Sequence, residues 1–267
     1  MMPAAASSFD LPRRVLEPMT ASEAALWLPA RRSLDAPRVR LLCLPYAGGG
    51  ATIYRAWAAG LPADVEVRPV QLPARQNRRH ETPLTRVDAI VTRLAAAIET
   101  LPPAPVAIFG HSFGGLVAYE LGRRLSSTGT PPLALVIGAR HAPHVLQAAP
   151  PIHALPEDAF FEMLNRRYGT AWTLLRNPEL MALAQPSLRA DFAAYETYEY
   201  QAGPRLNAPI TVLHGLRDGT LTHAQAAAWG DLTSAGAALQ AVDAGHFFVD
   251  THREWVLAQV RQVLAAA

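Results

Sequence analysis

AIFGHSFGGLVAYEL, residues 107–121, sets a serine between two glycines where an apolar run stops and a helix-patterned segment starts. Strand, Gly-x-Ser-x-Gly and helix together are the context in which a nucleophile elbow makes sense. Glycines at 110 and 114 remove side chains where a sharp turn joins strand to helix, so the Ser112 hydroxyl projects from the strand tip. Taken without partners, the same residues describe a Gly-rich turn whose serine caps the following helix.

Outward from the elbow, short β-rich runs alternate with helix-patterned segments. RVRLLCLPY, VEVRPVQL, PVAIFGHS, LALVIGAR, APITVLHG and ALQAVDAG read as buried parallel strands. Between them ATIYRAWAAGL, TRVDAIVTRLAAAIETL, GGLVAYELGRRLSSTG and THAQAAAWGDL read as helices, and HREWVLAQVRQVLAAA closes the chain as another. This alternation is an α/β signature with a mostly parallel central sheet flanked by helices. The rhythm breaks once, over 140–206, where PEDAFFEMLNRRYG and NPELMALAQPSLRADFAAYETYEY are helical with no strand between them. The expected organisation is an arm over 1–36, a core of 37–139 and 207–267, and an inserted helical lid over 140–206.

Composition narrows the function. Half of the 267 residues are hydrophobic, enough for a large core without staples or metals, and the formal charge is only +2. Every one of the 24 cationic side chains is arginine, and the net excess is too small for a nucleic-acid surface. The single cysteine, Cys43, lies in an apolar run and reads as a small core residue in a reducing compartment. The N-terminus lacks a signal-peptide core, and no uninterrupted apolar stretch approaches the roughly 18–20 residues that span a bilayer. A cytoplasmic protein is expected, with no membrane or nucleic-acid partner.

A serine nucleophile needs a histidine to accept its proton and an acid to hold that histidine. In strand-turn-helix enzymes of this kind they follow in the order serine, acid, histidine. Asp218 follows the run PITVLHG and His246 follows LQAVDAG, so both stand at strand tips on the same sheet edge as Ser112. Asp243 is the rival acid, but it falls in or at the end of its strand. Among the other histidines, His111 sits on a taut turn that cannot easily aim it at its neighbour's hydroxyl, and His214 lies within a strand. His141, His144 and His153 fall at the start of the lid and read as structural. The backbone N–H groups of Phe113 and, from the glycine-rich loop LPYAGGGAT, Ala47 are the candidate oxyanion donors. That loop lacks the Gly-Lys-Ser/Thr ending of a phosphate-binding loop.

LCLPYAGGGA, VQLPARQNRRHETP, IFGHSFGGLVAYEL, GARHAPH, PSLRADFAAYETYEY, HGLRD and DAGHFF, in this order over about residues 38–261, together resemble the type II thioesterases of polyketide and nonribosomal-peptide biosynthesis. The resemblance implies an α/β-hydrolase fold with a helical lid. It also implies hydrolysis of acyl thioesters from the phosphopantetheine arm of an acyl or peptidyl carrier protein, clearing stalled or mis-primed chains. No cofactor or metal is implied beyond the arm the substrate carries, and a monomer is expected. Ser112, Asp218 and His246 become the triad, with Ala47 and Phe113 as oxyanion amides. Departures from the family pattern are LPARQ where Gly-Arg-Glu is common and RDGT where proline often follows the acid; neither removes a catalytic atom.

Within the lid, Phe160, Met163, Leu180 and Met181, with Phe161, Leu164 and Phe192, are candidates to line an acyl tunnel, although an amphipathic helix must bury one face in any case. Lid movement would gate the site. Arg75, Arg78 and Arg79 form a candidate docking patch for an acidic carrier protein. The rival readings are a general carboxylesterase or acyltransferase on the same fold, a non-catalytic carrier-binding protein, and an integrated terminating thioesterase. A chain starting at Met with no upstream carrier domain favours the discrete enzyme.

Overall fold

The computed structural model describes residues 18–145, 149–169 and 178–266, with the side chains of 178, 180 and 181 excepted. Six strands form one sheet: β1 (Val39–Leu44), β2 (Val65–Pro69), β3 (Val106–His111), β4 (Ala134–Gly138), β5 (Ile210–Gly215) and β6 (Ala237–Val242). Their order is β2-β1-β3-β4-β5-β6, and every pair is parallel. The helices are α1 (Ala21–Trp27), α2 (Val87–Glu99), α3 (Phe113–Ser127), α4 (Glu157–Tyr168), α5 (Pro178–Glu196), α6 (His223–Ala227), α7 (Phe248–Thr251) and α8 (Arg253–Ala266). None among the described residues is long and apolar enough to cross a membrane.

Successive strand side chains point to opposite faces, and both faces here are covered. Leu42, Leu44, Ile108, Leu135, Ile137 and Val212 join one cluster with residues of α1, α2 and α3. The alternate set, Leu41, Cys43, Ala107, Phe109, Val136 and Leu213, joins a second cluster with residues of α8. That is why the central strands read as unbroken apolar runs. Cys43 is fully buried, and burial pushes its thiol well above the ordinary range.

Two expectations need correction. ATIYRAWAAGL is not one helix but two 3-10 turns, Ala51–Tyr54 and Trp57–Gly60. Tyr54, which ends the first, and Trp57, which opens the second, both meet the sheet, edge-on to each other and to Phe109. The second correction is β6, which pairs in parallel but is an edge strand, with only Leu239 and Val242 half-buried. Within the stretch read as an arm, Thr20 caps α1 in a reciprocal box with Glu23, and Trp27 is buried with the Arg78 guanidinium over its ring.

The chain runs from β1 outward to β2, then returns to β3 on the other side of β1. Neighbouring connections thus diverge between β1 and β3, and open α/β sheets place ligands at the strand C-termini beside such a divergence. The loop 45–50 leaves β1 there, and Ser112 leaves β3 there. α4 and α5, inserted between β4 and β5, cover that edge. Their own small core holds Ile152, Phe160, Leu164, Leu188 and Phe192, and Ala47 packs against it.

Ser112 occupies φ +54°, a left-handed conformation that costs a residue with a side chain about 1–3 kcal/mol. Its amide donates to the Gly138 carbonyl at 2.7 Å, fixing the turn to β4. The flanking glycines are steric requirements: a Cβ at Gly110 would lie 2.2 Å from the Gly114 carbonyl oxygen, and one at Gly114 would lie 2.3 Å from that of Leu44. A Gly110→Ala variant must push α3 away from β3. It is expected to lose about 3 kcal/mol of stability, the upper end of overpacking costs, as read from its urea midpoint. A midpoint equal to that of the unmodified protein would contradict this account of the turn.

Candidate active site

Three strand ends bring together side chains that are far apart in sequence. Ser112 caps α3 after β3, Asp218 follows β5, and His246 precedes α7. The His246 Nε2 stands 3.0 Å from the Ser112 Oγ, and its Nδ1 stands 2.8 Å from Asp218 Oδ2. A carboxylate only accepts, so Nδ1 carries the proton and Nε2 presents its lone pair to the serine hydroxyl. Hydroxyl, imidazole and carboxylate are thus in series. Asp243, by contrast, is exposed and ion-paired with Arg217 at 2.9 Å.

Asp218 is held more firmly than the sequence indicated. Its Oδ1 accepts both the Thr220 amide, at 2.9 Å, and the Thr220 hydroxyl, at 2.7 Å. Burial pushes the Asp218 carboxyl up, but the bonds from His246 and Thr220 outweigh it and hold the group below its ordinary value. An aspartate bonded to the amide two residues on is an Asx turn, so Asp-Gly-Thr carried a local signal for this second contact.

His111 has a role the sequence did not reveal. Its Nε2 donates to the His246 carbonyl at 2.8 Å, so the residue beside the nucleophile steadies the backbone of the base. Burial, with repulsion from His246, lowers its pKa to about 3. It therefore stays neutral at physiological pH and does not compete for the proton that His246 handles.

Neither the Ala47 nor the Phe113 amide donates a hydrogen bond among the described residues. Phe113 opens α3, where the helix dipole favours negative charge. The loop carrying Ala47 lies against the same helix end, because the Leu44 and Pro45 carbonyls approach Gly114 closely. Tyr168, at the end of α4, lies over His246 with ring centroids 4.8 Å apart, and Phe247 flanks the imidazole at 5.0 Å. The lid thus rests on the triad, and His246 is only 7% exposed.

Of the lid candidates, Phe160 is fully buried inside the lid's own core under the Arg189 guanidinium, while Met163 is half-buried at its edge. The Leu180 and Met181 side chains lie outside the described residues. The arginine patch requires correction. Arg75 is buried and paired in bidentate fashion with Asp191, at 2.6 and 2.9 Å. Arg78 is also buried, holding Glu81 and the Gln71 carbonyl. Neither can meet a partner's surface, and only Arg79 of the three is exposed.

His153, Glu196 and Arg189 fasten the lid internally. Glu196 accepts the amides of Ile152 and His153 and the His153 Nδ1 at 2.6 Å. Arg189 donates to the His153 and Leu155 carbonyls.

The thioesterase domain family matches residues 39–264. Gramicidin S biosynthesis protein GrsT of Aneurinibacillus migulanus is 34% identical over 91% of this chain and 97% of its own length. Among solved structures, the type II thioesterase BorB from the borrelidin biosynthetic cluster superposes with a TM-score of 0.83 at 36% identity, covering 90% of this chain and 98% of that one. ClbQ from the colibactin nonribosomal peptide/polyketide pathway gives 0.81 at 31% identity, over 86% and 98%.

Proposed function

Since the chain belongs to the thioesterase family, we propose that it hydrolyses acyl thioesters on the phosphopantetheine arm of an acyl or peptidyl carrier protein, clearing blocked chains from a polyketide or nonribosomal-peptide synthase. The carrying observation is the unbroken series from Ser112 Oγ through His246 to Asp218. Its family setting selects the thioester. Near full-length likeness to a type II thioesterase supports a discrete editing enzyme.

In the first half-reaction, Ser112 Oγ attacks the thioester carbonyl while His246 Nε2 takes its proton. Asp218 stabilises the imidazolium by accepting from Nδ1. Negative charge on the tetrahedral carbonyl oxygen is received by the Phe113 and Ala47 amides and by the α3 N-terminus. Collapse expels the arm's thiolate, which leaves readily because a thiol ionises near pH 8.5, and which takes up the proton held by His246 so that the imidazole is neutral again. Water, activated by His246, then attacks the acyl-serine, and the carboxylic acid departs. An ester to serine is a poorer electrophile than a thioester, so deacylation is the slower half.

The lid's apolar core abuts Ala47 beside the nucleophile, so the acyl chain lies between lid and elbow, with Met163 and Tyr168 at its border. A carrier-bound acyl thioester is expected to exceed the matching oxygen ester in kcat/KM by about 100-fold, reflecting leaving group and carrier contacts combined. Rates measured side by side on carrier-bound thioester, free pantetheine thioester and oxygen ester check this. Equal rates on all three would make the chain a general carboxylesterase.

A further inference from the structure

Asp191 sits on α5, in the lid, yet its carboxylate is spent on the core. Oδ2 accepts the Gly48 amide at 2.7 Å and Arg75 Nη1 at 2.6 Å, while Oδ1 accepts Arg75 Nη2 at 2.9 Å. Arg75 Nη1 also donates to the Gly49 carbonyl at 3.1 Å. Two residues on, Gln71 Oε1 accepts the Ala51 amide at 2.7 Å, and Gln71 Nε2 donates to the Arg75 carbonyl. The loop after β1 is therefore gripped at Gly48, Gly49 and Ala51 by one buried network. Gly48 itself is at φ +75°, with Leu188 of the lid filling the space a side chain would need.

From these contacts we infer that Arg75 and Asp191 are positioning residues for the oxyanion hole, and that seating the lid and forming the hole are a single event. The inference rests on the thioesterase reading above. Holding the Gly48 N–H fixes the peptide plane after Ala47, and with it the ψ of the residue whose own amide faces the developing charge. Withdrawing α5 would remove Asp191 from Gly48 and leave the Arg75 guanidinium buried without its counter-charge. A buried cation left unpaired is strongly disfavoured, so the loop and lid settle together. The hole is then complete only when the acyl chain is covered, which confines transition-state stabilisation to an enclosed substrate.

The test separates positioning from mere structure. Breaking one partner alone risks unfolding, so the first variant replaces both, Arg75→Met with Asp191→Leu, because exchanging a whole buried pair for apolar residues is often tolerated. Three quantities are measured: kcat on a carrier-bound acyl thioester, affinity for an alkyl boronic acid that forms a tetrahedral adduct on Ser112, and affinity for a non-hydrolysable thioether analogue. Losing one oxyanion donor costs about 100-fold or more. The double variant is accordingly expected to lose about 100-fold in kcat and in boronate affinity, with thioether affinity within about threefold. Unchanged kcat and boronate affinity in the folded variant would overturn the inference, and so would an equal fall in both affinities. If the double variant does not fold, the same split is read on Asp191→Glu, which keeps the charges but moves the acceptor by one methylene. Both affinities are equilibrium quantities that need no turnover. A parent protein that binds the boronate but hydrolyses no thioester would thus defeat the functional reading and leave this inference to be judged on the adducts.

Discussion

Ser112→Ala is expected to abolish thioester hydrolysis, lowering kcat by about 10⁶-fold, as loss of a triad nucleophile does elsewhere. The fold should survive, because alanine demands no more room at φ +54° than serine, and the Ser112 amide bond to Gly138 is retained. Only the 3.0 Å contact with His246 Nε2 disappears. Residual catalysis would come from the oxyanion amides acting on water, a level about 10³-fold above background. Steady-state kinetics with the carrier-bound thioester, and a fluorophosphonate that labels the parent protein at Ser112 alone, provide the measurement. A variant retaining a tenth of the parent activity would place the nucleophile elsewhere and remove the foundation of the mechanism.

Asp218→Asn is expected to cost about 10⁴-fold in kcat, although its geometry is nearly unchanged. An amide at this position presents N–H toward His246 Nδ1, which drives the imidazole proton to Nε2, where it blocks acceptance from Ser112. The Thr220 amide and hydroxyl can still donate to the remaining oxygen, so the loop should hold its shape. The stability consequence has a definite sign. Because the native Asp218 pKa is below its ordinary value, its contribution is fully present above about pH 4 and is lost as pH falls through the lower native value. The variant should therefore lose stability at neutral pH and approach the parent protein in acid. Parallel kinetic and acid-denaturation profiles test both effects. A loss of activity below tenfold would mean that the carboxylate does not set the tautomer.

The parts of this site legible in the sequence are those written locally. Five of the six runs are buried strands because both sheet faces are covered, β6 being an exposed edge, and the glycines on either side of Ser112 at one strand end mark the elbow. Asp218 and His246 could be found because each directly follows a strand and their order along the chain is informative. What escaped was whatever depended on distant pairing. Arg75 finds Asp191 116 residues away, so its neighbours in sequence gave no hint of burial. His111 was recognisable as unable to serve its neighbour, but its acceptor, the His246 carbonyl, lies 135 residues on. The segment 51–60 misled because alanine and aromatic residues at three-residue spacing suit either winding, and only the sheet selects the tighter one.

A protein that handles activated acyl thioesters would be at risk from any reactive sulfur of its own, since a thiolate exchanges with thioesters and would capture cargo in an unproductive linkage. Cys43 is the chain's only sulfhydryl; packing seals it within the sheet, and the raised affinity for its proton withholds the reactive anion. Acyl exchange is thereby left to the serine, whose ester water can cleave.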